Sequence, residues 1–453
     1  METVTVTIAP PPLGTGAPVC RSPFDPRLIR MSVALQAKYA PNFPPQAVIG
    51  SGLGDAVEQV KRGALKYVKF GSSDMMVSEV CAGTMTWGSF NDREEQAFEQ
   101  LDALIRLGVN FIDTAELYPV AFNYGKTTEE WIGKWLEKRV ASGEVDRSKL
   151  YIATKCNALG IGGAGIPHSY EPEIVLNSCR DSLERLKTDY IDLYQLHFPT
   201  RDVPLFGGAS FKPDGVDRAF PFQNKGEPHT FEGPVLAIKA LFDAGLIKHW
   251  GLSNENAYGI TMFCLTCDKL GVPRPVSCQN DFSLLDRMYE GDTAEAAYRF
   301  GLAGLPYGPL AGGVLAGKYT KSKYAAADPD RPLAECRHRK CPEFQPRYGM
   351  PMAMAATEKY VALAEKYGIT PTELALAWAK QCWFNASIII GTTTVRQVEE
   401  CVGAFQLELP RSLLKEIDTV HEELRSPCCF YASKPTCIEA PWLGNSMKKA
   451  CDP

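Results

Sequence analysis

The sequence predicts an α/β protein, a (β/α)8 TIM barrel with an N-terminal hairpin and long loops at its C-terminal rim. Three observations predict it. Short apolar runs alternate with segments of helical period from residue 65 to 425, and strands that alternate with helices build right-handed βαβ units and a parallel sheet. Eight such runs can be counted, from 78–83 to 387–390, which favours a closed barrel over an open doubly wound sheet. No Gly-x-Gly-x-x-Gly opens a helix after the first run, so the dinucleotide fingerprint of the doubly wound fold is missing.

Residues 65–70 and 77–84 alternate around the turn 71–74 and read as a hairpin feeding the first strand. Strands then follow at 109–113, 150–155, 190–197, 247–253, 275–279, 304–307 and 387–390. Helical spacing occupies 94–107, 131–139, 173–187, 234–244, 257–270, 294–299, 355–367, 371–380 and 395–405. Two long connections, 199–233 and 320–352, interrupt the beat; in a barrel such loops rise from the rim where sites are built. Residues 1–64 read as a flexible extension, 65–425 as the barrel, and 426–453 as a tail without clear period.

With 45% apolar and 22% charged residues, the chain has ordinary globular composition. A net charge of −5 without a long basic run argues against nucleic-acid or anionic-membrane surfaces. No window approaches the roughly 18 to 20 apolar residues of a spanning helix. The 15 cysteines fall short of scaffold density, and most sit in apolar stretches. Cys264 and Cys267 fall in a helical segment and read as packing; no metal ligands or disulfides are assigned. We expect a cytoplasmic protein, the alternative being a chloroplast or other organelle reached through the acid-poor, arginine-bearing extension. Monomer and homo-oligomer are both open.

The chemistry sits at strand ends. Asp113 closes the second strand, Lys155 the third and His197 the fourth, while Tyr118 lies on the loop after Asp113. Ser253–Asn254, Gln279–Asn280 and Tyr307 close the next three, and such positions converge on one rim. Tyrosine is a poor acid near neutrality. An adjacent ammonium favours the phenolate, and a carboxylate holds that ammonium in place. Asp113, Lys155 and Tyr118 have that composition, giving a phenol able to protonate a developing alkoxide. His197 can orient a carbonyl by a hydrogen bond. The set has no reductant of its own, so hydride has to come from a cofactor. Singly, each residue has a plainer reading: a rim salt bridge, a satisfied histidine, a loop aromatic. Together, at successive strand ends, they favour function.

These residues resemble the aldo-keto reductase superfamily, whose Asp, Tyr, Lys and His tetrad is matched in DTAELYP (113–119), ATK (153–155) and LYQLHFP (193–199). GTMTWG (83–88), TDYIDLYQLHFP (188–199), GLSNENAYG (251–259) and QNDFSLLDR (279–287) resemble its bacterial Tas-type branch. The resemblance covers residues 65–425 and implies NADPH-dependent reduction of a small carbonyl substrate. It implies that Tyr118 donates the proton, Lys155 and Asp113 tune it, and His197 orients the carbonyl. It further implies a cofactor site of Thr84 and Asp113, with Ser253, Asn254 and Gln279 at the carboxamide and Tyr307 on the nicotinamide ring. Gly308, Pro309, Leu310, Ala311, Gly312, Gly313, Gly317 and Lys318 would follow the pyrophosphate, since glycines let backbone approach phosphate. Gly391, Thr393, Gln397 and Glu400 would hold the adenosine end. Arg396 beside them suits a 2′-phosphate, making NADPH the expected cofactor over NADH. Trp87 and Phe122 are expected to line the aromatic part of the pocket. Two departures weaken the phosphate and adenine contacts: Gly308 stands where the family commonly has Ser, and Cys401 where it has Asn.

Two other readings compete. An NADPH-sensing regulatory subunit, like the potassium-channel β subunits that resemble this family, would bind cofactor and turn over slowly. A non-redox barrel enzyme would form a Schiff base on Lys155, which leaves Asp113 and Tyr118 without a task.

Overall fold

A computed structural model of the chain describes residues 59–120, 125, 127–157, 170–199, 201, 203–211, 231–326 and 330–430. The expectations for most of the N-terminal extension, for the tail beyond residue 430 and for Phe122 lie outside the described residues.

The core is an eight-stranded parallel sheet. Its members are β4 (Val80–Gly83), β5 (Phe111–Asp113), β6 (Tyr151–Cys156), β7 (Ile191–Leu196), β8 (Ile247–Ser253), β9 (Ser277–Gln279), β10 (Ala303–Gly304) and β11 (Ile388–Gly391). They pair in the order β10-β9-β8-β7-β6-β5-β4-β11. Closure between β10 and β11 is made by Ala386 N–H donating to Gly304 O, Gly304 N–H to Phe384 O and Ile389 N–H to Pro306 O, each at 2.9 Å. The sheet is therefore a barrel, with helices connecting successive strands as expected.

Strand alternation sorts the residues. Phe111, Ala153 and Leu193 pack into one interior cluster, while their neighbours Ile112, Ile152 and Tyr194 pack into the larger core shared with the helices. Successive side chains point to opposite faces, so Asp113, Lys155 and Gln195 stand on the interior side, one step further toward the rim.

The N-terminal hairpin floors this interior. β2 (Tyr67–Lys69) and β3 (Met76–Ser78) pair antiparallel, and Phe70, Met75 and Val77 join the interior cluster, with Phe70 edge-on to Phe111 at 5.2 Å. Gly71 is required in the turn: its φ is +56, and a Cβ there would meet Val276 O at 2.2 Å. The expected continuous strand 77–84 is divided at Glu79 into a hairpin strand and a barrel strand. β1 (Lys61–Arg62) pairs with β12 (Leu407–Glu408), so ordered pairing starts a few residues before 65.

The expected strand 304–307 is regular only over Ala303–Gly304, with Tyr307 joined by an isolated bridge to Asp281; Pro306 has no N–H to extend the ladder. Helix 131–139 extends to Thr127–Ala141 and helix 355–367 starts earlier, in Pro351–Lys366, where proline suits the first helical turn. A helix at Arg411–Glu423 was not read from the sequence, although its buried Leu413, Ile417 and Val420 have helical spacing. Cys264 and Cys267 pack into the core from helix Ala257–Leu270. Among the described residues no helix is long and apolar enough to cross a membrane.

Helix Thr127–Ala141 lies close to helix Pro172–Leu186 at Gly133, where a Cβ would meet Arg185 O at 2.0 Å. Gly133→Ala is expected to lower stability by about 1–3 kcal/mol through overpacking. Gly403, with nothing within 4 Å of its Cβ position, is expected to gain up to about 1 kcal/mol as alanine. Urea midpoints that move in the same direction for both variants would contradict this packing.

Candidate active site

At the C-terminal rim the interior turns from apolar to polar. Lys155 is fully buried, and its Nζ donates to Asp113 Oδ2 at 2.6 Å and to Thr114 O at 2.7 Å. It lies 3.4 Å from Tyr118 Oη and 4.7 Å from the centre of the phenol ring. The other Asp113 oxygen accepts from Gln195 Nε2 at 3.1 Å and Gln279 Nε2 at 2.9 Å. Thr84 Oγ1 donates to Asp113 O at 3.0 Å. The carboxylate that holds Lys155 is thus itself held from two other strands, and the Asp113 backbone from a third.

His197 stands edge-on to Tyr118, ring centres 5.8 Å apart, and stacks on Phe198 at 4.4 Å. Asn254, at a left-handed φ of +59, donates from Nδ2 to His197 O at 2.9 Å and accepts from Tyr307 Oη at 2.8 Å. Ser253 Oγ donates to Gln279 O at 3.1 Å. Asn254 and Gln279 therefore brace the site through bonds within the protein, in addition to facing its cavity.

The electrostatics correct one expectation. Burial raises the Tyr118 pKa, and the opposing field of Lys155 does not reverse it. The cation is already claimed by Asp113 at 2.6 Å, leaving its influence at the phenol smaller than the desolvation cost of a phenolate. Burial also opposes charge on Lys155, but Asp113 and Tyr118 outweigh it and raise its pKa. His197 is driven well below its ordinary value by burial and then by Lys155, so its imidazole is neutral.

A cavity of about 850 Å³ joins these groups to the far side of the rim. Its wall includes Thr84, Asp113, Tyr118, His197, Ser253, Asn254, Gln279, Tyr307, Gly308, Pro309, Leu310, Gly312, Gly313 and Lys318. It continues through Gly391, Thr393, Arg396, Gln397 and Glu400. Ala311 and Gly317 are not brought to the wall: Ala311 is buried, and a Cβ on Gly317 would meet Tyr324 and Val361. Lys155 lies beneath the wall, against Tyr118. Trp87 is 1% exposed and belongs to the core; Phe90, Phe198 and Phe206 make aromatic wall instead.

The cavity suits a dinucleotide on two observations. Gly308, Gly312 and Gly313 have φ of +72, +64 and +91, which leaves bare backbone along the wall. Lys318, folded over Gly313, has no ion-pair partner among the described residues. Backbone of this kind with an unclaimed cation accommodates phosphate. At the far end Gln397 Oε1 accepts from both the N–H and the hydroxyl of Thr393. Arg396 lies 3.6 Å from Asp330.

Sequence reasoning missed Gln195, although counting back by two from His197 along the strand reaches it. It also missed Phe206, Arg331, Arg337, Arg347 and Phe430 on the wall. These sit in loops and short helical turns whose return to the rim no local pattern encodes.

A parallel barrel with an ion-paired lysine, a tyrosine and a histidine at one rim cavity defines a barrel enzyme of the oxidoreductase class. Residues 79–422 match the model of the Aldo/keto reductase family. The chain is 32% identical over 375 residues to Protein tas of Escherichia coli (strain K12), covering 80% of this chain and 99% of that one. It is 28% identical over 359 residues to the uncharacterized oxidoreductase YrpG of Bacillus subtilis (strain 168), covering 79% and 96%. An aldo-keto reductase of Babesia bovis is 33% identical over 259 residues, covering 56% and 88%. The chain belongs to the aldo/keto reductase family, in its Tas-like branch, and is an oxidoreductase of a family that uses nicotinamide cofactors.

Buried neutral histidines predict the acid side of the stability profile. His338, beneath Gly312, is lowered by burial from 6.5 to about 3. Its contribution is intact above the unfolded value of 6.5 and is lost as pH falls toward about 3, because the unfolded chain binds the proton first. Urea midpoints measured from about pH 7.5 to 5 should fall with pH, and His338→Gln should flatten that fall. An identical slope in the variant would refute the assignment.

Proposed function

We propose that this chain reduces aldehydes or ketones to alcohols with NADPH, with Tyr118 as the proton donor. The observation that carries this reading is the contact chain Asp113–Lys155–Tyr118, at 2.6 and 3.4 Å, opening beside His197 on one cavity wall. NADPH, when bound, supplies hydride to the carbonyl carbon. Tyr118 faces the developing alkoxide with its proton in place, since burial keeps the phenol neutral. As that proton leaves, Lys155 stabilises the phenolate left behind, and Asp113 keeps the ammonium from turning away. His197, neutral, donates a ring N–H to the carbonyl oxygen and sets its direction. The edge-on contact with Tyr118 keeps the two donors at one point. Phe198 and Phe206 exclude water on the substrate side.

The preference for NADPH over NADH rests on Arg396, which lines the adenosine end beside Gln397 and Glu400, where a guanidinium suits a 2′-phosphate. Ser253 and Gln279 would hold the carboxamide, Tyr307 the ring, and the backbone of 308–313 with Lys318 the pyrophosphate.

The purified protein is expected to quench its fluorescence with NADPH and to oxidise it in the presence of 4-nitrobenzaldehyde. Tight binding without turnover would favour the cofactor-sensing reading. Tyr118→Phe should bind NADPH as tightly as the parent and lose about 10²–10⁴-fold in kcat; unchanged kcat refutes its role. Arg396→Ala should weaken NADPH by about 10-fold or more and leave NADH unaffected. An equal loss for both dinucleotides would remove the basis for the preference.

A further inference from the structure

Residues beyond the last barrel helix carry chemistry that the carbonyl site does not use. There the chain folds back on the segment 285–288. Cys428 N–H and its thiol both donate to Leu285 O, at 3.4 and 3.1 Å. Arg287 N–H donates to Ser426 Oγ at 3.1 Å, and Cys429 N–H to Ser426 O at 2.8 Å. These bonds turn two adjacent thiols toward Asp286. The two sulfurs and a carboxylate oxygen lie within 4.8 Å of one another, in the one such three-residue group among the described residues.

We infer that Asp286, Cys428 and Cys429 form a binding site for a thiophilic divalent cation of the zinc class, which staples the C-terminal strap to the barrel. Two sulfurs and one carboxylate oxygen are a zinc ligand set, with bonds of about 2.3 Å and 2.0–2.2 Å. Those lengths place tetrahedral ligand atoms roughly 3.5 Å apart, a spacing that side-chain rotation reaches without moving the backbone. The backbone bonds on both sides of the cluster already set the three residues against one another. Asp286 and Cys428 are buried, whereas Cys429 is half-buried, which leaves an entry path and room for water as the fourth ligand. Binding exchanges the two thiol protons for the cation, and no electron moves. The neighbouring Arg347 does not compete for the carboxylate, because Asp281 pairs with it. Asp286 lies far from the two adjacent cysteines in the chain, so no metal-ligand spacing marks the set.

The site bears on the substrate cavity through the next residue. Phe430 lines the wall; its N–H donates to Gly207 O at 2.8 Å, and its carbonyl accepts from Ala209 N–H at 3.0 Å. Gly207, at φ +90, has no space for a Cβ, which would meet Cys428 O at 2.8 Å. A cation on Cys428 and Cys429 therefore holds the strap, and with it one side of the cavity, in place.

The test uses the full chain, reduced and stripped with a chelator. Cadmium is titrated while thiolate-to-metal ultraviolet absorption is followed, and zinc is titrated against a chromophoric chelator. The parent should bind one equivalent and melt at a higher temperature with zinc. Cys429→Ser and Asp286→Asn should weaken that equivalent by at least the ~10-fold that loss of even an outer-shell partner costs, and should lose the zinc-dependent shift. Cys382→Ser, at a partly exposed thiol elsewhere, should retain both. Cys429 is half-buried, so its serine variant folds even where Asp286→Asn does not, and its cation-free melt verifies this. A parent that binds no cation, or a Cys429→Ser variant that binds like the parent, overturns the assignment. So does retention of the equivalent in Cys429→Ser together with its loss in Cys437→Ser, at a cysteine of the tail beyond residue 430.

Discussion

A lysine with no exposed surface is an expensive object, and the site is organised around making it tolerable. Removing an ammonium from water costs several kcal/mol even after relaxation. Lys155 recovers this through Asp113, the Thr114 carbonyl and the phenol of Tyr118. Asp113 in turn receives two glutamine N–H donors. Each member is in place because another would otherwise be an unpaired buried charge, a penalty of about 3–5 kcal/mol. That mutual dependence pre-orients the donors before any substrate arrives, which is what transition-state stabilisation requires.

The barrel makes the arrangement possible by separating its interior into levels. Below the ion pair, Phe111, Ala153 and Leu193 pack on the hairpin residues Phe70, Met75 and Val77, closing the lower end to water. Above it, the cavity opens to loops. The charge therefore sits between a dry floor and a wet mouth, where electrostatic effects are strong and ligand still has access. The same position explains Tyr118. Lys155 alone would acidify it, but burial wins, and the phenol holds the proton it is proposed to deliver.

Much of this was legible in the chain. Asp113, Lys155 and His197 each end an apolar run, and two-residue periodicity with eight strand–helix beats is enough to bring strand ends to one rim. The same periodicity contains Gln195, which only the sheet register makes evident as a partner of Asp113. Lys318 and the glycines of 308–313 came through the family resemblance, to which glycine's tolerance of positive φ gives physical sense. Ala311 and Gly317, in the same run, turn away from the wall, because a loop's side-chain directions depend on what it packs against.

By itself the sequence determined the barrel and put Asp113, Lys155 and His197 at strand ends, since periodicity acts locally and survives any packing detail; the family came through the resemblance of its ordered motifs. Only the tertiary structure decided that Trp87 belongs to the core while Phe90, Phe198 and Phe206 face the cavity. It also decided that desolvation overrides the lysine at Tyr118, and that Cys428 and Cys429 meet Asp286. Those outcomes depend on the distances between segments remote in the chain and on how much water each excludes, neither of which is encoded in local pattern.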